Sequence, residues 1–242
     1  MLKSFSIILI LIVFSCNSTP DPQEIIDRSI ELAGGSAYDN FEMEFDFRGR
    51  HYVSMRKSGN FEYTRITRDS LSEIIDTYSN MKPFRRIKNG EVVKLPDSLS
   101  SRIENSINSV NYFVLLPNGL NDEAVNKSYL GEVSIKDKNY HKIQVTFDEQ
   151  GGGKDFEDVF IYWINSDNYA MDYLAYKYFT NGGGLRFREA FNIREINGIR
   201  FSDYRNYKPK DKSVALEQLD AQFKAGELEL LSLIETENIV VR

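Results

Sequence analysis

Residues 41–56, FEMEFDFRGRHYVSMR, decide the fold, because they alternate with a period of two throughout. Successive side chains of a β-strand point to opposite faces, so this pattern predicts one long strand with one covered and one solvated face. Such a strand would be about 50 Å long and must bend or break, most naturally at Gly49. A single covered face indicates a large antiparallel sheet. The covered set is predicted to be Phe41, Met43, Phe45, Phe47, Gly49, His51, Val53 and Met55.

Similar patterns predict further strands on both sides of a central helix. One hairpin is expected at Asn89-Gly90, a dipeptide that favours tight turns. A first helix begins after Asp21 and ends at Gly34, a second covers 98–116, and a third, short one covers 214–224. The remaining strands are predicted at 61–68, 71–78, 84–95, 131–136, 140–147, 159–165, 171–179, 185–196, 199–207 and 227–241. The fold class is therefore α+β, with about ten antiparallel strands and two or three helices in one domain.

The first residues are typical of an exported lipoprotein. Phe5 to Phe14 form an apolar run that suits a signal peptide and is short for a membrane-spanning helix. Val13, Ser15 and Cys16 then match a lipobox, in which the thiol accepts a diacylglyceryl group. Cys16 is the only cysteine of the chain. We expect a signal peptide at 1–15, a lipid-anchored tether at 16–23 and a single domain at 24–242.

The composition excludes several classes of protein. The formal charge is −6 over 242 residues, which argues against nucleic-acid binding and against adsorption to anionic lipid. The aromatic content is 13%, which favours a β-rich globular domain over a disordered chain.

The expected location is the cell envelope, on the outer membrane, either facing the periplasm or exposed at the surface.

Three passages resemble an uncharacterised lipoprotein family of Bacteroidota: Tyr140 to Phe147, Asp158 to Tyr176, and Arg186 to Tyr207. The strand order is also similar to the wider LolA/LolB/RseB-like group. That resemblance implies a half-barrel of about ten to eleven strands, with helices on the concave side. It also implies a role with lipids or lipoproteins, which members of the group carry, accept or sense. LolA itself is soluble, whereas an anchor is inferred here, and no functional residue is transferred.

The favoured function is binding of a hydrophobic ligand inside the curved sheet. The ligand would be an acyl chain, a lipid or a lipidated protein, and the Leu99–Leu116 helix would close the cavity. The side chains expected to line it are Phe45, Phe47, Met55, Phe113, Leu116, Trp163 and Tyr173. An envelope scaffold that binds a protein partner is the alternative, and an enzyme of unknown type is a third one. The oligomeric state is left open.

No motif indicates catalysis, a cofactor or a metal. Gly-x-Ser-x-Gly is absent, and only two histidines, His51 and His141, are available. Both are expected on apolar strand faces as structural residues rather than metal ligands. The acidic, glycine-rich segment 148–158 fits a solvated hairpin better than a calcium loop, since it matches no EF-hand spacing.

A row of arginines, Arg186, Arg188 and Arg194, occupies alternate positions of one predicted strand. Such a row usually forms a solvated face that pairs with acids on neighbouring strands. The alternative is that it meets an anionic headgroup or the acids of a partner.

Replacing Cys16 by Ala is expected to release the domain from membranes, because the thiol that carries the lipid is lost. Membrane fractionation measures this, with Ser18→Ala as a control that leaves the lipobox intact. Continued membrane association of Cys16→Ala would contradict the lipoprotein assignment.

Overall fold

Two open antiparallel sheets of seven strands each form the protein. The computed structural model describes residues 19–211 and 213–242. The predicted α+β antiparallel class is confirmed, but fourteen described strands in two sheets replace the ten to eleven expected in one.

The first sheet has the order β14-β1-β2-β3-β4-β5-β6. Its strands are β1 (Asn40–Phe47), β2 (Arg50–Lys57), β3 (Asn60–Arg68), β4 (Glu73–Ser79), β5 (Arg85–Lys88), β6 (Glu91–Val93) and β14 (Glu237–Val241). The second sheet has the order β13-β12-β11-β10-β9-β8-β7. Its strands are β7 (Val125–Ile135), β8 (Lys138–Phe147), β9 (Val159–Asn165), β10 (Met171–Tyr178), β11 (Gly184–Ile196), β12 (Ile199–Pro209) and β13 (Leu228–Ile234). The helices are α1 (Pro22–Ala33), α2 (Asp97–Val114) and α3 (Leu219–Lys224).

The predicted long strand at 41–55 is a hairpin. Arg48 and Gly49 both have positive φ, 50° and 70°, as a tight two-residue turn between twisted strands requires. Phe45 therefore pairs with Tyr52, and the two rings stack with centroids 5.1 Å apart. Residues that pair across the hairpin have their side chains on the same face of the sheet. The side chains that point inward therefore have odd numbers in β1 and even numbers in β2.

The inward residues of β2 are consequently Tyr52 and Ser54, which are both buried. Met55 is 36% exposed on the other face. The sequence-based placement of His51, Val53 and Met55 with the apolar set is therefore wrong. A period-two pattern read straight through a turn cannot reveal this change of face.

The predicted strand at 227–241 also divides. β13 pairs with β12 in the second sheet, whereas β14 pairs with β1 in the first. Glu235 and Thr236 connect the two. The chain thus passes from one sheet to the other over two residues, and this link holds the two sheets together at one edge.

Helices α1 and α2 cover the same face of the sheets. Asp21 caps α1 by accepting a hydrogen bond from the Gln23 amide at 2.9 Å, and Pro22 occupies the first turn, as predicted. Ile25 and Ile26 of α1 pack on the second sheet. Pro22 and Gln23, which were expected in the tether, thus belong to the helix.

Helix α3 lies on the opposite face of the second sheet, contrary to the expectation that all helices share one side. Its Phe223 packs against Tyr173 and Phe187, and Asp220 forms a buried ion pair with Lys142 at 2.9 Å. Because α1 and α2 cover the other face, the middle of the second sheet is buried on both sides. All of β9 from Phe160 to Asn165 is buried for this reason.

A buried charge cluster fixes α2 on the first sheet. The Asp76 carboxylate accepts from Arg65 at 2.9 Å and from Arg86 at 2.6 and 2.9 Å. Arg65 also donates to the Ser106 hydroxyl of α2 at 3.2 Å. Ile103 and Ile107 complete the contact by packing against Tyr63.

No helix within 19–211 and 213–242 combines the length and apolar character needed to cross a membrane. Cys16 and the predicted signal peptide lie outside the described residues.

Replacing Asp76 by Ala is expected to lower the free energy of unfolding by about 3–5 kcal/mol, because two arginines lose a buried counter-ion. The matched control is Glu73→Ala, which breaks an exposed 2.6 Å pair with Arg68 and should cost at most about 1 kcal/mol. Chemical denaturation measures both. Equal losses would show that the Asp76 cluster does not anchor the fold.

Candidate functional site

A cavity of about 540 Å³ lies beneath α2, between β3 and β4 of the first sheet and β8 to β11 of the second. We call it the main cavity. Its volume is within the usual range of small-molecule pockets, about 300–1,000 Å³.

Aromatic rings supply most of the apolar lining of the main cavity. They are Phe61, Tyr78, Tyr112, Phe113, Phe147, Phe160, Tyr176 and Tyr178. Phe160 lies at their centre, 5.3 Å from the Tyr176 ring, 5.7 Å from Tyr112 and 5.8 Å from Phe147. Such contacts hold each ring in place, so the lining is a rigid, preformed surface.

One hydrogen bond joins α2 to the floor of this cavity. The hydroxyl oxygens of Tyr112 and Tyr162 lie 2.7 Å apart. Burial raises the pKa of both phenols. Both therefore stay neutral and act as a fixed structural pair rather than as acids or bases.

The glycine-rich segment 148–158 forms one wall of the main cavity. Gly151 to Asp155, together with Asp158, line it. A Cβ atom at Gly152 would lie 2.2 Å from the Asp148 carbonyl oxygen and 2.9 Å from Phe147 Cβ. Only glycine permits this close return of the chain at Gly152, while most of the segment is exposed between the paired strands β8 and β9, in agreement with the predicted solvated hairpin.

The lining of the main cavity carries both signs of charge. Lys154 and Arg186 are its cations, and Arg186 donates to the Tyr178 hydroxyl at 2.8 Å. Burial raises the pKa of Asp158 to about 6, and the neighbouring Asp155 adds to the effect. Burial also raises the pKa of Asp122. At mildly acidic pH the lining therefore carries less negative charge than its count of carboxyl groups suggests.

A second cavity of about 190 Å³ lies on the other side of α2. Its apolar lining is Phe47, Val110, Phe113, Val114, Tyr204 and Ile234. Ser109 and Phe113 belong to the walls of both cavities. These two side chains of α2 thus form the partition between them.

The seven residues predicted to line one cavity are dispersed in the structure. Phe113 lines both cavities and Phe47 lines the second. Phe45 and Leu116 are buried in the packed core. Met55 is on the outer face, and Trp163 and Tyr173 pack beneath α3 on the opposite side of the second sheet.

Sequence reasoning missed Phe160 and Tyr176, the neighbours of Trp163 and Tyr173 on the cavity side. Strand β9 is buried on both faces, so its run of apolar residues does not show which alternate side chains face the cavity. Tyr112 could have been predicted as a lining residue from the sequence, since it adjoins Phe113 at the apolar end of the predicted helix.

The two histidines lie in different sheets and line neither cavity. His51 is on the outer face, with Nδ1 2.8 Å from an Asp46 oxygen, so its expected apolar placement is wrong. His141 packs near Tyr129 on the face covered by α1 and α2, and its Nδ1 lies 3.2 Å from a Glu132 oxygen. Within the described part of the chain, no three or more His, Cys, Asp and Glu side chains cluster as metal ligands.

Fold and site together define an α+β protein with an aromatic pocket under a helix that spans two antiparallel sheets. The chain belongs to DUF6503, a family of unknown function, whose model matches residues 2–236. No curated protein sequence matches it.

Solved structures with a similar course of the chain include proteins from three bacteria. A LolA superfamily protein from Nitrosomonas europaea shares 14% identity at a TM-score of 0.47, over 93% of this chain and 94% of that one. A DUF1329 family protein from Desulfovibrio piger shares 10% identity at 0.49, over 91% and 93%. A domain whose name assigns it to outer membrane lipoprotein sorting, from Vibrio parahaemolyticus, shares 7% at 0.42, over 84% of both chains. Because all three TM-scores are below 0.5, these likenesses do not bear on what the chain binds. The resemblance to a lipoprotein family of Bacteroidota stays a prediction.

Asp158 should make the fold less stable as the pH rises from about 4 to about 6. Its pKa is raised in the folded state, so the folded protein binds more protons than the unfolded chain in that window. The Asp158→Asn variant has no carboxyl group to ionise at this position, so it should not lose stability in this way. The thermal midpoint of the variant, compared with that of wild type, should therefore rise as the pH increases towards 7. Asp148→Asn, exposed in the same segment, is the control. A difference between Asp158→Asn and wild type that stays constant with pH would contradict the assignment.

Proposed function

We propose that this protein is a lipoprotein of the cell envelope that binds a hydrophobic ligand in the main cavity without catalysing a reaction. The ligand is an acyl chain, a lipid or a lipidated protein. Cys16 carries the lipid that holds the protein on the membrane, and the outer membrane is the proposed location.

The observation that carries this proposal is the preformed aromatic lining of the main cavity. Eight aromatic rings line a volume of about 540 Å³, and the ring contacts around Phe160 fix that surface. Burial of an acyl chain there would contribute about 0.8 kcal/mol for each methylene removed from water. The lining also includes charged side chains, among them Lys154, Asp158 and Arg186, which could bind the headgroup end of an amphiphile.

The length of the tether agrees with work at a membrane surface. Helix α1 begins at Pro22, only six residues after Cys16. Six extended residues reach about 20 Å. A lipid on Cys16 would therefore keep the domain within about 20 Å of the bilayer, a short transfer distance for an acyl chain.

A scaffold that binds a protein partner is the second candidate, and one surface favours it. β13 is an edge strand of the second sheet, and Leu230, Leu231 and Leu233 on it are exposed. Exposed apolar side chains on a strand edge are a typical protein-binding surface. Absence of any ligand from the main cavity would shift the balance to this function.

Native mass spectrometry of the full-length protein extracted from membranes is expected to show a non-covalent lipid in addition to the attached one. Asn105→Trp places a large ring in the main cavity and should lower the bound fraction by roughly tenfold, since overpacking a site costs about 1–3 kcal/mol.

The matched control is Arg102→Trp, which adds the same ring to an exposed position of α2 outside both cavities. It should leave the bound fraction unchanged. A wild-type protein without bound lipid, or equal binding by the two variants, would refute the binding function.

A further inference from the structure

The phenyl ring of Phe113 on α2 lies where the two cavities meet. Phe113 and Ser109 line both cavities, and serine has only a short hydroxymethyl side chain. The ring is therefore the larger part of the partition. Its removal would join a volume of about 540 Å³ to one of about 190 Å³.

The strand register shows the direction in which the second cavity follows the main one. Tyr176 of β10 pairs with Phe160 on one side and with Arg186 on the other. Two residues away on β10, Leu174 pairs with Arg188. Arg186 lines the main cavity, whereas Arg188 lines the second one. The path along β11 from Arg186 to Arg188 therefore leads from the main cavity to the second cavity.

The acidic and basic groups of segment 148–158 lie at the opposite end of the main cavity. Asp158 comes two residues before Phe160, and its carboxylate accepts a hydrogen bond from the Phe179 amide at 3.3 Å. Lys154 belongs to the same segment and lines the same cavity. An amphiphile whose headgroup binds at this end would extend its chain over Phe160 towards Phe113.

Contacts on several sides hold the Phe113 ring in the partition. The guanidinium carbon of Arg188 lies 3.8 Å from its centroid. The rings of Tyr176 and Phe160 have their centroids 5.4 and 6.2 Å from it. The preceding residue, Tyr112, ties the helix to the second sheet through its hydroxyl group. Aromatic and cation–π contacts of this kind favour one position of the ring, so the partition is fixed.

Arg188 supports the ring from the side of the second cavity, which it lines. It is only 7% exposed, and its Nη2 donates to the Tyr176 hydroxyl at 2.9 Å. The expectation that the arginine row forms a solvated face is therefore wrong at Arg188. Arg194 of the same row shows the expected pairing with an acid, since it lies 3.0 Å from Asp203.

We propose that the Phe113 ring sets the longest hydrocarbon chain that the main cavity accepts, so that Phe113 determines the specificity for linear acyl ligands. The end of a bound chain meets the ring, and a longer chain would leave methylene groups in water. The second cavity stays outside the binding site of the wild-type protein. This inference rests on the proposed function, and it adds that the ligand is selected by chain length.

Native mass spectrometry of the full-length protein, mixed with equal amounts of saturated fatty acids from decanoic to docosanoic acid, tests the limit. The acids differ in mass, so one spectrum shows how much of each is bound. Binding by wild type should rise roughly fourfold per added methylene, which corresponds to about 0.8 kcal/mol, and fall beyond one chain length. A profile that rises up to the longest acid would overturn the inference without the use of any variant.

Variants then assign the limit to Phe113. Phe113→Ala opens the partition, so the maximum of the profile should move to longer acids. The acid with two methylenes more than the wild-type maximum should gain roughly tenfold, because those methylenes then leave water. Phe113→Leu keeps an apolar side chain in the partition and should move the maximum in the same direction by less. It retains the test if the alanine variant does not fold.

Phe147→Ala is the matched control, since it removes the same ring from a position that lines the main cavity only. It should weaken the binding of every acid and leave the maximum unchanged. An unchanged maximum in both Phe113 variants, or an equal shift in Phe113→Ala and Phe147→Ala, would overturn the inference and leave the proposed function intact. Binding of no acid by wild type would also overturn the inference, and absence of co-purified lipid as well would overturn the proposed function.

Discussion

The packing of α2 against both sheets at once is the constraint on which the rest of the structure depends. Its first turns are held on the first sheet by Ile103, Ile107 and the Ser106–Arg65 hydrogen bond. Its last turns are held on the second sheet by the Tyr112–Tyr162 hydrogen bond and by Phe113. A helix held against two sheets at once leaves unfilled space on either side of it. The two cavities follow from this geometry, and both share the helix as a wall.

The elements of the fold were largely predictable from sequence because their signals are local. The cap of α1 at Asp21, the apolar spacing of α2 and most strands follow from the chain itself. The number of sheets was not predictable, because it depends on where β13 and β14 find partners far along the chain. The hairpin at Arg48-Gly49 was missed for a different reason, since the alternation of polar and apolar residues continues through the turn.

The candidate site was less predictable than the fold. Phe113 was identified because it lies at the apolar end of a helix, and Phe47 because it lies on an apolar strand face. Trp163 and Tyr173 were assigned to the wrong side, since strands covered on both faces contain apolar residues at every position. The role of segment 148–158 depends on a contact, the close return of Gly152 over Phe147, that composition cannot show. The row of arginines was predicted to form a solvated face, but Arg188 is only 7% exposed because its guanidinium packs on the Phe113 ring.

The pairing of β14 with β1 imposes an order on the maturation of this chain. Met43 lies opposite Val241, and the backbone of Glu42 exchanges hydrogen bonds with Arg242 at 2.8 and 3.1 Å. The two partners are about 200 residues apart, a separation that makes such contacts late in folding. A polypeptide that emerges with its amino end first therefore exposes the free edge of β1 until β14 has followed. The domain is completed only when β14 has paired with β1, and deletion of β14 would leave that edge open for association with other chains.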